Sequence, residues 1–133
     1  VIAGDASNDI QKPPRKQSTS DQVELLAKGA DILVHSSTHP NMGPEAGGGM
    51  PPPIFYRQST VKDIAAMAKR AGVKHYMMTH LTPSLGEIKR IDNWKIPNAP
   101  IMEADFLRTA KESRFKGNIV VGKDLSFVQI PAE

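Results

Sequence analysis

The chain has 133 residues, with 17 Lys and Arg against 14 Asp and Glu, and it contains no cysteine. This length suits one domain, and the lack of cysteine excludes disulfides, thiolate metal sites and cysteine nucleophiles. The net charge of +3 is dispersed along the helical segments and gives no support to nucleic-acid binding. No apolar run approaches the ~18 residues that span a bilayer. We therefore expect a soluble chain, cytoplasmic or periplasmic, in which any metal is bound by histidine and carboxylate.

The first third of the chain predicts two strands with a helix between them. Residues 1–3 have the composition of a strand that enters a turn at Gly4 and Asp5. A helix over 22–28 follows the capping residues 19–21 and ends at Gly29. The apolar run 31–35 shows no polar alternation, which favours a strand covered on both faces of a parallel sheet.

A Gly/Pro-rich loop at 39–57 separates this part from the rest. Loops of this length are uncommon unless they are lids, binding loops or disordered segments. A helix then begins at Thr60, with Asp63 at capping-box distance, and ends at Gly72. The remaining elements are predicted as a strand at 75–79, a helix at 104–114, and a hairpin made of strands 118–121 and 126–130. The order β-α-β-α-β-α-β-β indicates an α/β fold.

Candidate functional residues follow the predicted strands. Ligands of parallel α/β sheets collect at the carboxyl ends of the strands, where this sequence has Asp5, His35, His80 and, more weakly, Asp124. One carboxylate and two imidazoles suit zinc, manganese or iron. For any one of these histidines, a hydrogen-bonded structural role is the more common alternative. That alternative is stronger still for His39 and His75.

Several motifs in this order resemble the C-terminal half of the metallo-β-lactamase-fold hydrolases, in the branch that contains ribonuclease Z and arylsulfatase-like relatives. They are "AGDAS", "LLAKGADILVHSSTH", "RQSTVKDIAAMAKRAGVKHYMMTHLTP" and "GNIVVGKDL". The resemblance implies half of an αββα sandwich and two divalent metal ions, zinc by expectation with manganese or iron as alternatives. It further implies that Asp5 bridges the two metals and that His80 binds one of them. Such a site produces a metal-bound hydroxide that attacks the substrate.

Two positions depart from the ribonuclease Z pattern. Ser36 stands where those proteins carry a glutamate, and Gln58 stands where they carry a histidine, and that pair donates a proton. Neither residue is an acid at neutral pH. The departures argue against tRNA processing and predict a small-molecule substrate with a better leaving group, or one protonated by another residue. We expect His35, Ser36 and Gln58 next to the metal ligands, and Phe55 and Trp94 beside the substrate.

The histidine-rich motif that supplies most metal ligands in this family is absent from the 133 residues. We therefore expect residues 1–133 to be a single incomplete domain, inactive alone, with a degenerate relic of such a domain as the alternative. Its partner would be the N-terminal half of the same protein, which carries the remaining histidines. The resulting hypothesis is a metal-dependent hydrolase of an ester, phosphodiester, sulfate ester or lactam. The alternative is a non-catalytic α/β module that binds a small ligand or a partner chain at the same strand ends.

Overall fold

The computed structural model describes residues 1–8, 13 and 15–132. In the described chain, four strands form one parallel sheet in the order β1-β2-β3-β4: β1 Ile2–Ala3, β2 Ile32–Thr38, β3 His75–Thr82 and β4 Asn118–Val121. The helices are α1 Asp21–Leu26, α2 Pro52–Phe55, α3 Val61–Ala71 and α4 Glu103–Lys111. None of the helices in these ranges has the length and apolar character needed to cross a membrane. The α/β class is thus confirmed, with a parallel sheet.

The helices α1, α3 and α4 share one side of the sheet. Parallel strands in sequential order are joined by crossovers of the same, right-handed sense, and these place every connecting helix on the same face. Helix α3 contacts β2 and β3, and it is flanked by α1 and α4. Alternate strand residues point towards these helices and are fully buried, as are the helix residues that meet them: Leu33, Tyr76, Met78, Ile64, Met67 and Phe106.

The opposite face of the sheet is apolar and only partly covered by the described residues. Ile2 pairs with Val34, Val34 with Met77, and Met77 with Val120, so these four side chains form a row across all four strands. Ile2 is 85 % exposed, and the other three are partly exposed. The described residues cover the helix side of β2 fully and this face only in part, so full cover on both faces of the second strand stays a prediction. Exposed apolar rows of this kind mark contact surfaces.

Helices α1 and α3 begin and end close to their predicted limits. Ser20 caps α1 through a hydrogen bond from the Val23 N–H, and Gly72 ends α3 with φ +71°, a conformation that favours glycine. The predicted capping box at Thr60 is wrong, because its side chain accepts no hydrogen bond from the helix. The carboxylate of Asp63 instead accepts hydrogen bonds from the backbone N–H and the hydroxyl of Ser18, at 2.7 Å each.

The predicted C-terminal hairpin does not form. Strand β4 pairs parallel with β3, and residues 126–130 are irregular. Phe127 is 80 % exposed and Ile130 is 49 % exposed. Residues 126–130 have the apolar and β-branched composition of a strand, but in the described structure they pair with no other strand.

The Gly/Pro-rich loop 39–57 is a packed structure. It contains the 3₁₀ helices Pro40–Met42 and Pro44–Ala46 followed by α2, and it buries Met42, Met50 and Phe55. Gly49 lies so close to the loop around Trp94 that an added Cβ would fall 2.1 Å from the Lys95 nitrogen. The two loops therefore pack directly against each other.

Candidate metal centre

Asp5 and His80 meet at the edge of the sheet formed by the carboxyl ends of its strands. Asp5 follows β1 and His80 lies near the end of β3, with β2 between the two strands. The His80 Nδ1 and Asp5 Oδ1 atoms are 2.9 Å apart. The side chains are 67 % and 48 % exposed, respectively, so both groups remain accessible. Residues 75 positions apart in the sequence thus form a hydrogen-bonded pair.

A β-bulge in β3 gives His80 its orientation. Ser36 pairs with Thr79 and Thr38 pairs with Thr82, so one residue of β2 lies opposite two residues of β3 between these pairs. In a regular strand, His80 would follow the buried Tyr76 and Met78 onto the helix-covered face. The bulge, together with φ +44° at His80, turns the imidazole out of the core. Such irregularities concentrate at functional sites.

Asp5 is held in its ionised form. Partial burial alone would raise the pKa of its carboxyl group, but the hydrogen bond with His80 and the neighbouring Ser36 hydroxyl lower it, and the electrostatic influence of His80 and His35 lowers it further. The net effect places the pKa of Asp5 below its ordinary value. A metal-binding carboxylate must be deprotonated, so this environment suits a ligand.

His35 lies in the core near this pair. Its Nδ1 atom is 2.8 Å from the Ser36 carbonyl oxygen, which makes Nδ1–H the donor. The Nε2 atom is buried and has no hydrogen-bond partner among the described residues. Burial lowers the pKa of His35, while the Ser36 carbonyl and the Asp5 charge oppose that shift. That His35 orients a metal ligand stays a prediction.

The two other residues predicted next to the metal ligands are Ser36 and Gln58. Ser36 is buried, and its hydroxyl donates to the Gly4 carbonyl oxygen at 3.0 Å, beside Asp5. The backbone carbonyl of Gln58 lies 3.4 Å from a guanidinium nitrogen of Arg15.

The two aromatic residues predicted beside the substrate lie under arginines. Phe55 is buried, with the Arg15 guanidinium 5.1 Å from its ring centre. Trp94 is partly exposed beneath Arg90 at 5.0 Å. Of the two, only Trp94 has surface to offer a ligand.

Ser59 is a residue that the sequence did not single out. Its hydroxyl lies 2.6 Å from the Ala6 carbonyl oxygen, on the other side of Asp5 from the Ser36 contact. The position of Ser59 next to Gln58, in the stretch "QST", could have indicated a site residue. A serine is also common at the start of a helix, so the position alone does not distinguish the two roles.

The pair fits part of a metal site. Carboxylate oxygen and imidazole nitrogen are the donors that zinc, manganese and iron accept from proteins without cysteine. Among the described residues, no group of three or more His, Cys, Asp or Glu side chains is arranged to hold a metal ion. If Asp5 and His80 bind a metal ion, they supply two ligands, and a complete site requires others.

Three curated proteins similar to this chain are each named ribonuclease Z. A ribonuclease Z of Mycobacterium bovis (strain BCG / Pasteur 1173P2) is 31% identical over 110 residues, covering 83% of this chain and 34% of the relative. A ribonuclease Z of Pseudomonas putida (strain GB-1) is 29% identical over 120 residues, covering 86% and 33%. One of Brevibacillus brevis is 39% identical over 64 residues, covering 48% and 18%. No family model matches the chain. The chain spans about a third of the length of the first two relatives.

Proposed function

We propose that this chain contributes Asp5 and His80 to the metal centre of a hydrolase that cleaves phosphodiesters or related esters. The observation that carries the proposal is the 2.9 Å pair between these side chains, which the bulge in β3 turns out of the core. Similarity to proteins named ribonuclease Z over 83% of the chain supports the same class of chemistry. The proposal includes sulfate esters as substrates, because the sequence also resembles the arylsulfatase-like relatives.

Asp5 and His80 would hold one or both of two divalent cations, zinc by expectation and manganese or iron as alternatives. Such cations act as Lewis acids and make water a competent nucleophile at neutral pH. The chain contributes an ionised carboxylate, whose pKa is kept low by hydrogen bonds despite partial burial. It also contributes an imidazole whose direction is fixed by the bulge and by the contact to Asp5.

The remaining ligands are proposed to come from polypeptide that packs on the uncovered sheet face. Two features of the described residues support this: the apolar row from Ile2 to Val120, and the presence of only two ligands at the pair. A second sheet on that face would complete the αββα sandwich that the sequence resembles. Relatives about three times longer than the matched segment have room for such a sheet.

The substrate is proposed to have a good leaving group. Ser36 is buried against the Gly4 carbonyl, and Gln58 is an amide, so neither can protonate a departing alkoxide at neutral pH. Aryl phosphodiesters release a phenolate that needs little protonation. A 3′-extended tRNA precursor releases a ribose alkoxide that needs it much more.

The test uses the full-length protein, meaning the complete product of the gene. We expect metal-dependent hydrolysis of bis(p-nitrophenyl) phosphate, with rates across a series of substituted aryl esters that fall steeply as the leaving group becomes more basic. A tRNA precursor should be cleaved far more slowly. A protein that retains no stoichiometric metal and hydrolyses none of these esters would instead be the non-catalytic module. Equal rates across the series would contradict the leaving-group argument alone.

A further inference from the structure

Two serine hydroxyls hold the backbone on both sides of Asp5. The Ser36 hydroxyl donates to the Gly4 carbonyl oxygen at 3.0 Å, and the Ser59 hydroxyl donates to the Ala6 carbonyl oxygen at 2.6 Å. Both serines are buried, at 3 % and 1 % exposure. They come from different elements, because Ser36 lies in β2 and Ser59 precedes α3. The Asp5 turn is thus tied to the sheet on one side and to the start of a helix on the other.

The turn has little other support in the described structure. Strand β1 ends at Ala3, and outside helices and strands no described backbone–backbone hydrogen bond involves residues 4–7. Asp5 itself is 48 % exposed, so packing does not hold its side chain. Besides the contact of the Asp5 side chain with His80, the two hydroxyl contacts tie the peptide groups on either side of Asp5 to the rest of the described structure.

Ser59 is itself held by a buried chain of hydrogen bonds. Its hydroxyl also lies 3.1 Å from the Ser18 carbonyl oxygen, and since it has one hydrogen, the shorter contact to Ala6 is the stronger. The hydroxyl of Ser18 accepts from the Thr60 N–H and donates to the Asp63 carboxylate at 2.7 Å. The chain connects Asp5 to the first turn of α3, an eleven-residue helix.

We propose that Ser36 and Ser59 are positioning residues that clamp the Asp5 turn and so fix the metal-binding carboxylate. This inference rests on the proposed role of Asp5 as a ligand. Groups that orient metal ligands typically contribute a factor of about 10–100 in metal affinity or activity when removed.

The test compares Ser36→Ala, Ser59→Ala and the double variant with Ser37→Ala in the full-length protein. Ser37 is a matched control, because it is fully buried in β2 and its hydroxyl bonds to the His35 carbonyl and the Tyr76 hydroxyl without touching the turn. Zinc dissociation constants are measured by competition with a chromophoric chelator, and cobalt-substituted protein reports ligand geometry through its visible spectrum. Tm and the kcat and KM values are measured in parallel.

Each clamp variant should bind zinc roughly 10- to 100-fold more weakly, shift the cobalt spectrum, and lower kcat more than it raises KM. Ser37→Ala should lower Tm but leave zinc affinity and the spectrum unchanged, and Ser59→Thr, which keeps the hydroxyl, should restore affinity. If Ser36→Ala and Ser59→Ala lower Tm as Ser37→Ala does but bind zinc with normal affinity, the proposal that these serines clamp the turn is wrong. If they bind normally while Asp5→Asn loses zinc, the proposed function survives and only the clamp fails. If Asp5→Asn also binds zinc normally, both fail.

Discussion

Replacing Asp5 with asparagine is expected to lower kcat/KM for bis(p-nitrophenyl) phosphate by ~10³-fold in the full-length protein, since metal activation of water lowers the activation barrier by several kcal/mol. The amide is nearly the same size but carries no charge, so it cannot neutralise the cations as a carboxylate does. Stoichiometric metal should fall in parallel, as measured by elemental analysis after gel filtration. Because Asp5 is 48 % exposed, Tm in the presence of a chelator should change little.

Asp124→Asn is the matched control for this experiment. Asp124 follows β4 and is exposed, and the sequence marks it as the weakest of the strand-end candidates. Its replacement should leave both metal content and turnover unchanged. A loss of activity in Asp5→Asn without a loss of metal would contradict the role of Asp5 as a ligand.

Replacing Met77 with lysine should cost about 3 kcal/mol of unfolding free energy in the full-length protein, because it would bury an unpaired charge under a second sheet. Met77 lies in the middle of the apolar row, between Val34 and Val120. If that face were exposed to water in the complete protein, the change would stay within about 0.5 kcal/mol. Urea denaturation of the two proteins distinguishes these outcomes.

Leu26→Lys serves as the comparison for Met77→Lys. Leu26 ends α1 on the helix-covered side of the sheet and is 71 % exposed. Its replacement should have little effect on stability under either view of the sheet. An equally small effect of both lysines would show that nothing packs on the apolar row, and the proposal of a completing sheet would fail.

The closeness of Asp5 and His80 could be predicted from sequence because it depends on a general property of parallel sheets. The carboxyl ends of parallel strands share an edge, so polar residues that follow such strands are brought together whatever the connecting loops do. Asp5 and His80 follow this rule. Helix α3 was equally predictable, because its apolar spacing and the glycine at its end are local signals.

Features that depend on distant partners could not be predicted. The bulge at His80 depends on how β3 pairs with β2, and the apparent end of the strand at Thr79 gave no sign that pairing resumes at Thr82. Asp63 has the spacing of a capping box, but its carboxylate accepts a hydrogen bond from the hydroxyl of Ser18, 45 residues earlier. The Ser59 contact to Ala6 spans 53 positions and has no local pattern.

Anomalous X-ray diffraction from crystals of the full-length protein grown with zinc would show whether Asp5 and His80 bind the same metal centre. We predict an anomalous peak with an Asp5 carboxylate oxygen and a His80 ring nitrogen at about 2.0–2.2 Å from zinc, or two neighbouring peaks that share Asp5. Zinc bound only by other residues, with the 2.9 Å hydrogen bond between Asp5 and His80 intact, would contradict it.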